Sequence, residues 1–226
     1  MFYGNVPDVL SQLVRTTFIP SEGNHFVVAD FSAIEARMIA WLAGETWANE
    51  EFAGEGKIYE ATAAQMFGVP KERIKKGNPE YALRQKGKVA TLALGYAGTT
   101  GALINMGALK MGLSEDELPE LVQLWRNANP NIVKFWRDCD EAVKTVMNTA
   151  QPVRVGCVIF RLEGDTAYGQ CFLTIELPVG RKLYYPRPHW ALNRFGKKAL
   201  HYSNIDQKTR KWSVAETHGG KIVENL

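Results

Sequence analysis

Cysteine is scarce in this sequence of 226 residues: Cys139, Cys157 and Cys171 are an odd number with no CxxC spacing. That pattern excludes a disulfide framework, and with only four scattered histidines it excludes the usual structural zinc motifs. No apolar run reaches the roughly 18 residues that a membrane-spanning helix needs. The opening MFYGNVPD has neither the basic start nor the apolar stretch of a secretory signal. Repeats and low-complexity tracts are also missing, which sets aside solenoids and long disordered segments. The expectation from these absences is a reduced, soluble, cytoplasmic protein.

Hydrophobic residues make up 46% of the chain, enough at this length to bury a sizeable core. Net charge is only +3, but it is unevenly spread. Between residues 71 and 88, Lys71, Arg73, Lys75, Lys76, Arg84, Lys86 and Lys88 face only Glu72 and Glu80. Such a cluster is either a solvated basic surface or a site for a polyanion.

The texture of the chain changes twice. A short helix near residues 7–14 and a loop marked by Pro20 and Gly23 lead to a buried strand expected over 25–29, then a helix over 32–42 that Gly44 ends. Helical periodicity follows over 46–53, 57–67, 80–97, 100–111, 115–128 and 131–149, with capping-box spacing at Ser114 and Glu117. After Gln151 and Pro152, the segments VRVGCVIFRL, QCFLTIELPV, RKLYYP, KALHYSNI and RKWSVAE read as short strands parted by turn residues. THGGKIVENL begins a last helix. Trp125, Phe135 and Trp136 read as packing residues.

Two stretches carry chemistry. In VVADFSAIEARMIAW, Asp30 stands where the expected strand gives way to the helix. Asp can serve as an N-cap, but Ser32 supplies one already, in capping-box spacing with Glu35. A carboxylate at the end of a strand is also a good ligand for a hard cation. In ALRQKGKVATLALGYAG, Arg84, Lys88, Leu92 and Tyr96 are spaced by four. On a helix each such step advances about 40° around the axis and about 6 Å along it, so the four make one slowly drifting stripe. Two cations, an apolar side chain and a ring suit a nucleoside triphosphate lying along the helix. They equally suit an amphipathic helix with basic residues at its rim.

Together these stretches resemble motifs A and B of family A DNA polymerases, in wording most similar to the phage enzymes. Asp30-Phe-Ser-Ala-Ile-Glu-Ala-Arg37 holds the places of motif A, and Arg84, Lys88, Leu92 and Tyr96 those of motif B. KIYEATAAQMFG and VGRKLYYP extend the similarity over nearly the whole chain.

The resemblance implies an α+β fragment shortened at both ends: palm over 1–45, helical fingers over 46–150, and a β-rich return of the palm, with an antiparallel sheet, over 151–226. It implies template-directed DNA synthesis, with primer-template DNA and deoxynucleoside triphosphates as partners and two Mg2+ ions as cofactors. Asp30 and the Phe31 carbonyl would hold metal. Arg84 and Lys88 would grip the triphosphate, with Lys88 also a proton donor to the leaving pyrophosphate. Leu92 and Tyr96 would lie along the sugar and base, and Tyr59 near the phosphates. Glu35, hydrogen-bonded to Tyr96, would exclude a 2′ hydroxyl, and Arg37 would give structural support.

Three positions depart from the pattern: Ala33 replaces a glutamine, Leu92 an aromatic residue and Tyr59 a histidine. The His-Asp-Glu of motif C has no counterpart here, since no His-Asp occurs in the sequence. The chain alone is therefore expected to be inactive, whether it is one half of a split gene or a piece that joins a second chain supplying motif C. The alternative is a non-catalytic fragment that binds DNA or nucleotide. An RNase H-like nuclease would also begin with a metal-binding Asp on a strand, but it would show further early strands. His218-Gly219-Gly220 is read either as a close approach to template or as a tight start to a helix. His25, His189 and His201 show no ligand spacing.

Overall fold

The computed structural model describes residues 5–165 and 170–226. The chain divides into two compact units, residues 1–33 and 34–226. In the first, α1 (Val6–Leu13) begins with a proline in its first turn, is followed by a 3₁₀ turn (Val14–Thr17), and buries none of its residues. The strand expected over 25–29 is not formed: residues 24–31 have no regular secondary structure, and Val27 and Val28 are 85% and 89% exposed. A strand needs neighbours for its backbone N–H and C=O groups, and no described strand pairs with this one.

The second unit opens with helices: α2 (Ile34–Ala43), α3 (Thr46–Ala53), α4 (Ile58–Phe67), α5 (Leu83–Leu94), α6 (Thr100–Asn105), α7 (Leu118–Ala128) and α8 (Pro130–Thr149). Among the described residues seven strands follow, β1 (Val153–Val155), β2 (Val158–Asp165), β3 (Gln170–Glu176), β4 (Lys182–Pro186), β5 (His189–Leu192), β6 (Lys198–Ile205) and β7 (Trp212–Thr217), and then α9 (Gly219–Asn225). The strands form two antiparallel meanders, β1-β2-β3-β4 and β5-β6-β7. This mixture of helices and antiparallel sheets is the α+β class that the sequence implied.

Local chemistry explains the helix ends. The Ser114 backbone N–H donates to Glu117 Oε2 at 2.9 Å, part of a complete capping box ahead of α7. Pro130 opens α8 where no intrahelical N–H is required. The next two N–H groups, of Asn131 and Ile132, donate to the buried Glu45 carboxylate at 2.9 and 3.2 Å. Glu45 is drawn in from more than eighty residues away, and burial pushes its carboxyl pKa up while these two bonds pull it back. Arg37 supports α2 as expected: Nη1 donates to the Phe52 carbonyl at 3.2 Å and the guanidinium lies 4.4 Å from the Phe52 ring centre.

One hydrophobic core runs from the helices into both sheets, through Leu94, Trp125, Phe135, Trp136, Phe160, Leu173, Ile175 and Leu200. Full burial of a side chain such as Phe160 contributes about 1.5–3 kcal/mol. Trp125 and Trp136 stack at 6.0 Å, and the Trp136 indole N–H donates to the Gly95 carbonyl at 2.9 Å. That confirms the packing role read for the aromatics. At α9, a Cβ on Gly219 would stand 2.2 Å from the Trp136 carbonyl oxygen, and one on Gly220 would stand 2.4 Å from Ala97 Cβ. The two glycines thus let α9 start in close contact with α8 and with the turn after α5.

Candidate functional site

The site begins with how closely α4 and α5 approach. Gly87 sits mid-helix in α5, normally a cost of about 1 kcal/mol relative to alanine. Its Cβ would fall 2.2 Å from the Tyr59 carbonyl oxygen and 2.9 Å from the Ala63 nitrogen. The helices therefore touch backbone to backbone, and Thr91 Oγ1 bridges them to Thr62 Oγ1 at 3.0 Å. This contact brings Tyr59 and Glu60 of α4 beside Arg84 of α5.

Arg84 Nε donates to Glu60 Oε1 at 2.7 Å, and its guanidinium lies 5.5 Å from the Tyr59 ring centre. Glu60 is the main cause of the upward shift in the Arg84 pKa, so the charge is fixed at any working pH. Among the described residues, the two terminal nitrogens of Arg84 have no hydrogen-bond partner. Lys88, one turn further along α5 and half-buried, has no carboxylate within ion-pair reach among the described residues. Leu92, a further turn on, is 39% exposed.

The helix is shorter than the sequence implied. A separate 3₁₀ turn covers Pro79–Ala82, α5 ends at Leu94, and Tyr96 lies in the turn beyond it. The Tyr96 backbone meets α9 at Gly220, and the phenol pKa is pushed up by burial first and then by the Glu35 and Glu224 carboxylates. Glu35, exposed in the first turn of α2, is thus in electrostatic reach of Tyr96, but the expected hydrogen bond between them is not formed. Asp30 and Phe31 belong to the first unit and are exposed, Phe31 to 79%.

The basic cluster resolves into two populations. Lys71 pairs with Glu51 at 2.7 Å, Arg73 with Glu80, and Lys86 with Glu117 at 2.7 Å, so these three are chiefly structural. Lys75 and Lys76 have no such partner among the described residues. With Lys57, Lys71, Glu60 and Arg84 they line a cleft of about 530 Å³.

No group of three or more His, Cys, Asp or Glu side chains converges as a metal site among the described residues. Asp30 is one carboxylate, short of the donor set that a pair of hard cations requires. The described residues do not by themselves fit the two magnesium ions that the resemblance implied.

Glu60 and Gly87 were missed in the sequence. The available signals were a carboxylate directly after Tyr59 and a glycine inside a strong helical pattern, which marks a packing or functional constraint.

The model of DNA polymerase family A matches residues 4–156. The chain belongs to that family. It is 57% identical over its full length to a DNA polymerase of Bacillus phage SP02, of which it spans 34%. It is 30% identical over 54% of its length to DNA polymerase I A, chloroplastic/mitochondrial, of Arabidopsis thaliana, spanning 13% of that protein. Over 29% of its length it is 40% identical to the thermostable DNA polymerase I of Thermus aquaticus, spanning 8%. The chain thus covers about a third or less of the relatives it matches. No described helix is long and apolar enough to cross a membrane.

Proposed function

We propose that this chain is the nucleotide-handling part of a template-directed DNA polymerase, acting on primer-template DNA in the cytoplasm, that of the host cell if it is phage-encoded. Arg84 and Lys88 bind the triphosphate of an incoming deoxynucleotide. Leu92 and Tyr96 lie along its sugar and base, Tyr59 beside its phosphates, and Glu35 near the sugar 2′ position. The observation that carries this reading is that Arg84 and Lys88 stand on successive turns of α5 with donors still open, the Arg84 terminal nitrogens beyond its Glu60 pair and the Lys88 ammonium with no carboxylate partner among the described residues. A guanidinium edge and an ammonium are the donors that phosphate oxygens select.

Phosphoryl transfer asks a protein mainly for positioning and for stabilisation of charge on the leaving group. Arg84 supplies fixed positive charge, and Lys88 can in addition give a proton to departing pyrophosphate. Asp30 and the Phe31 carbonyl are the proposed ligands of a magnesium ion, to be completed by donors outside these residues. The second carboxylate would come from a motif C on another stretch or another chain. In this scheme residues 46–150 are fingers, and 1–45 with 151–226 are palm.

Calorimetric titration of Mg–dATP into the chain tests the reading. Wild type should bind, and the Arg84→Ala/Lys88→Ala double variant should lose most of that affinity while remaining folded. Equal binding by both would remove the stripe from consideration and leave α5 an amphipathic helix with a basic rim.

A further inference from the structure

Glu60 has no role in the reading above, yet it is the group that fixes Arg84. A guanidinium offers two hydrogen-bonding edges, and Arg84 has given its Nε to Glu60 at 2.7 Å. The Tyr59 ring, 5.5 Å from the guanidinium carbon, bounds the same group from α4. Both flanking residues sit on a helix that cannot drift, because Gly87 and the Thr62–Thr91 bond lock α4 to α5. The Glu60 and Arg84 side chains are 17% and 31% exposed, so the pair is partly shielded from competing water.

We infer that Glu60 is a positioning residue: it anchors Arg84 through Nε so that the two terminal nitrogens are held ready for the phosphates of the incoming nucleotide. The inference rests on the nucleotide-site reading and adds a residue to it. Glu60 touches no phosphate. It removes the freedom of a long side chain before the ligand arrives, which lowers the ordering cost of binding. Its negative charge works the other way, by weakening the field that attracts an anion. The two effects have opposite signs, and that makes them separable.

Glutamine at this position keeps an oxygen to accept the Nε–H but loses the charge; alanine loses both. In Mg–dATP titrations of the 226-residue chain, Glu60→Ala should weaken binding about three- to tenfold. Glu60→Gln should bind as tightly as wild type or more tightly. If alanine and glutamine both tighten binding, Glu60 acts only through its charge and the inference fails; it fails equally if neither variant changes affinity.

A second measurement needs no nucleotide. The Arg84 Nε–H resonance should be visible and slowly exchanging in wild type and Glu60→Gln, and lost in Glu60→Ala. Its persistence in Glu60→Ala would refute the anchor, and thermal melts show whether each variant is folded. A folded wild type that binds no Mg–dATP, or an Arg84→Ala variant that binds it undiminished, would overturn the nucleotide-site reading and with it any role for Glu60 in binding; the resonance would still report whether Glu60 holds Arg84.

Discussion

Replacing Gly87 with alanine tests whether the contact between α4 and α5 organises the site. The intrinsic preference of a helix interior favours alanine by about 1 kcal/mol. Against this stands a Cβ placed 2.2 Å from the Tyr59 carbonyl oxygen and 3.0 Å from Ala63 Cβ. Both obstacles belong to the body of α4, so no rotamer change relieves them, and the helices must part by about 1 Å to restore ordinary contact distances. Overpacking of this kind costs about 1–3 kcal/mol, and more where backbone has to move. The separation also loosens the Thr62–Thr91 bond, worth about 1 kcal/mol. The net expectation is a loss of about 2–3 kcal/mol, which in a chain of this size lowers Tm by about 5–10 °C. Calorimetric melting of Gly87→Ala beside Gly101→Ala makes the comparison, because Gly101 in α6 has open space around its Cβ position and its variant should be neutral or slightly stabilised. The Gly87 variant should also weaken Mg–dATP binding, since Tyr59 and Glu60 retreat from Arg84. A Gly87→Ala protein as stable as wild type would show that the two helices are free to separate and that the close contact positions nothing.

Two further outcomes follow from the electrostatics and burial. The Glu117 carboxyl pKa is held down to about 2, by Lys86 first and then by the Ser114 backbone and hydroxyl. Being depressed in the folded state, this group contributes stability that is present above its ordinary value of 4.5 and is lost as pH falls toward 2. The gap in Tm between wild type and Glu117→Gln should therefore be full at pH 6 and close between pH 4.5 and 2; a gap independent of pH would refute the assignment. Burial pushes the Cys139 thiol up to about 12 and leaves it no exposed surface, whereas Cys157 is half-buried. Iodoacetamide at pH 8 should modify Cys157 well before Cys139 in the folded protein, as read by peptide mass mapping, and rapid labelling of Cys139 would contradict the core described for α8.

Helix α8 was legible because its apolar residues keep a period near 3.6 and Pro130 opens it, whereas α3 and α4 were legible from the glycines that bound them, Gly44 ahead of α3 and Gly68 at the end of α4. The stretch 80–97 keeps its period across a boundary that periodicity does not register, and in the structure it splits into a turn at Pro79–Ala82, a helix and a turn at Tyr96. Strand β5 was missed because HWAL is four residues long and carries no alternation. Residues 25–29 read as a buried strand, but strand propensity describes a residue's fit to a sheet and supplies no partner. The placement of Arg84 and Lys88 on successive turns of one helix was visible in spacing, while the contributions of Glu45 and Glu60 were not. Their partners lie 86 and 24 residues away, and only the packing of helices brings such pairs together.

The contact of Gly220 with Tyr96 and Ala97 ties the last helix to the turn that ends the stripe. Because Gly220 carries no side chain, α9 sits directly on the turn that follows α5, against the Tyr96 carbonyl and the Ala97 methyl. On the proposed function, a swing of α5 that carried Arg84 toward a nucleotide would either take α9 with it or flex between Leu92 and Tyr96. The β-rich part of the chain, linked to α9 through β7, would then feel the state of the proposed nucleotide site through this contact.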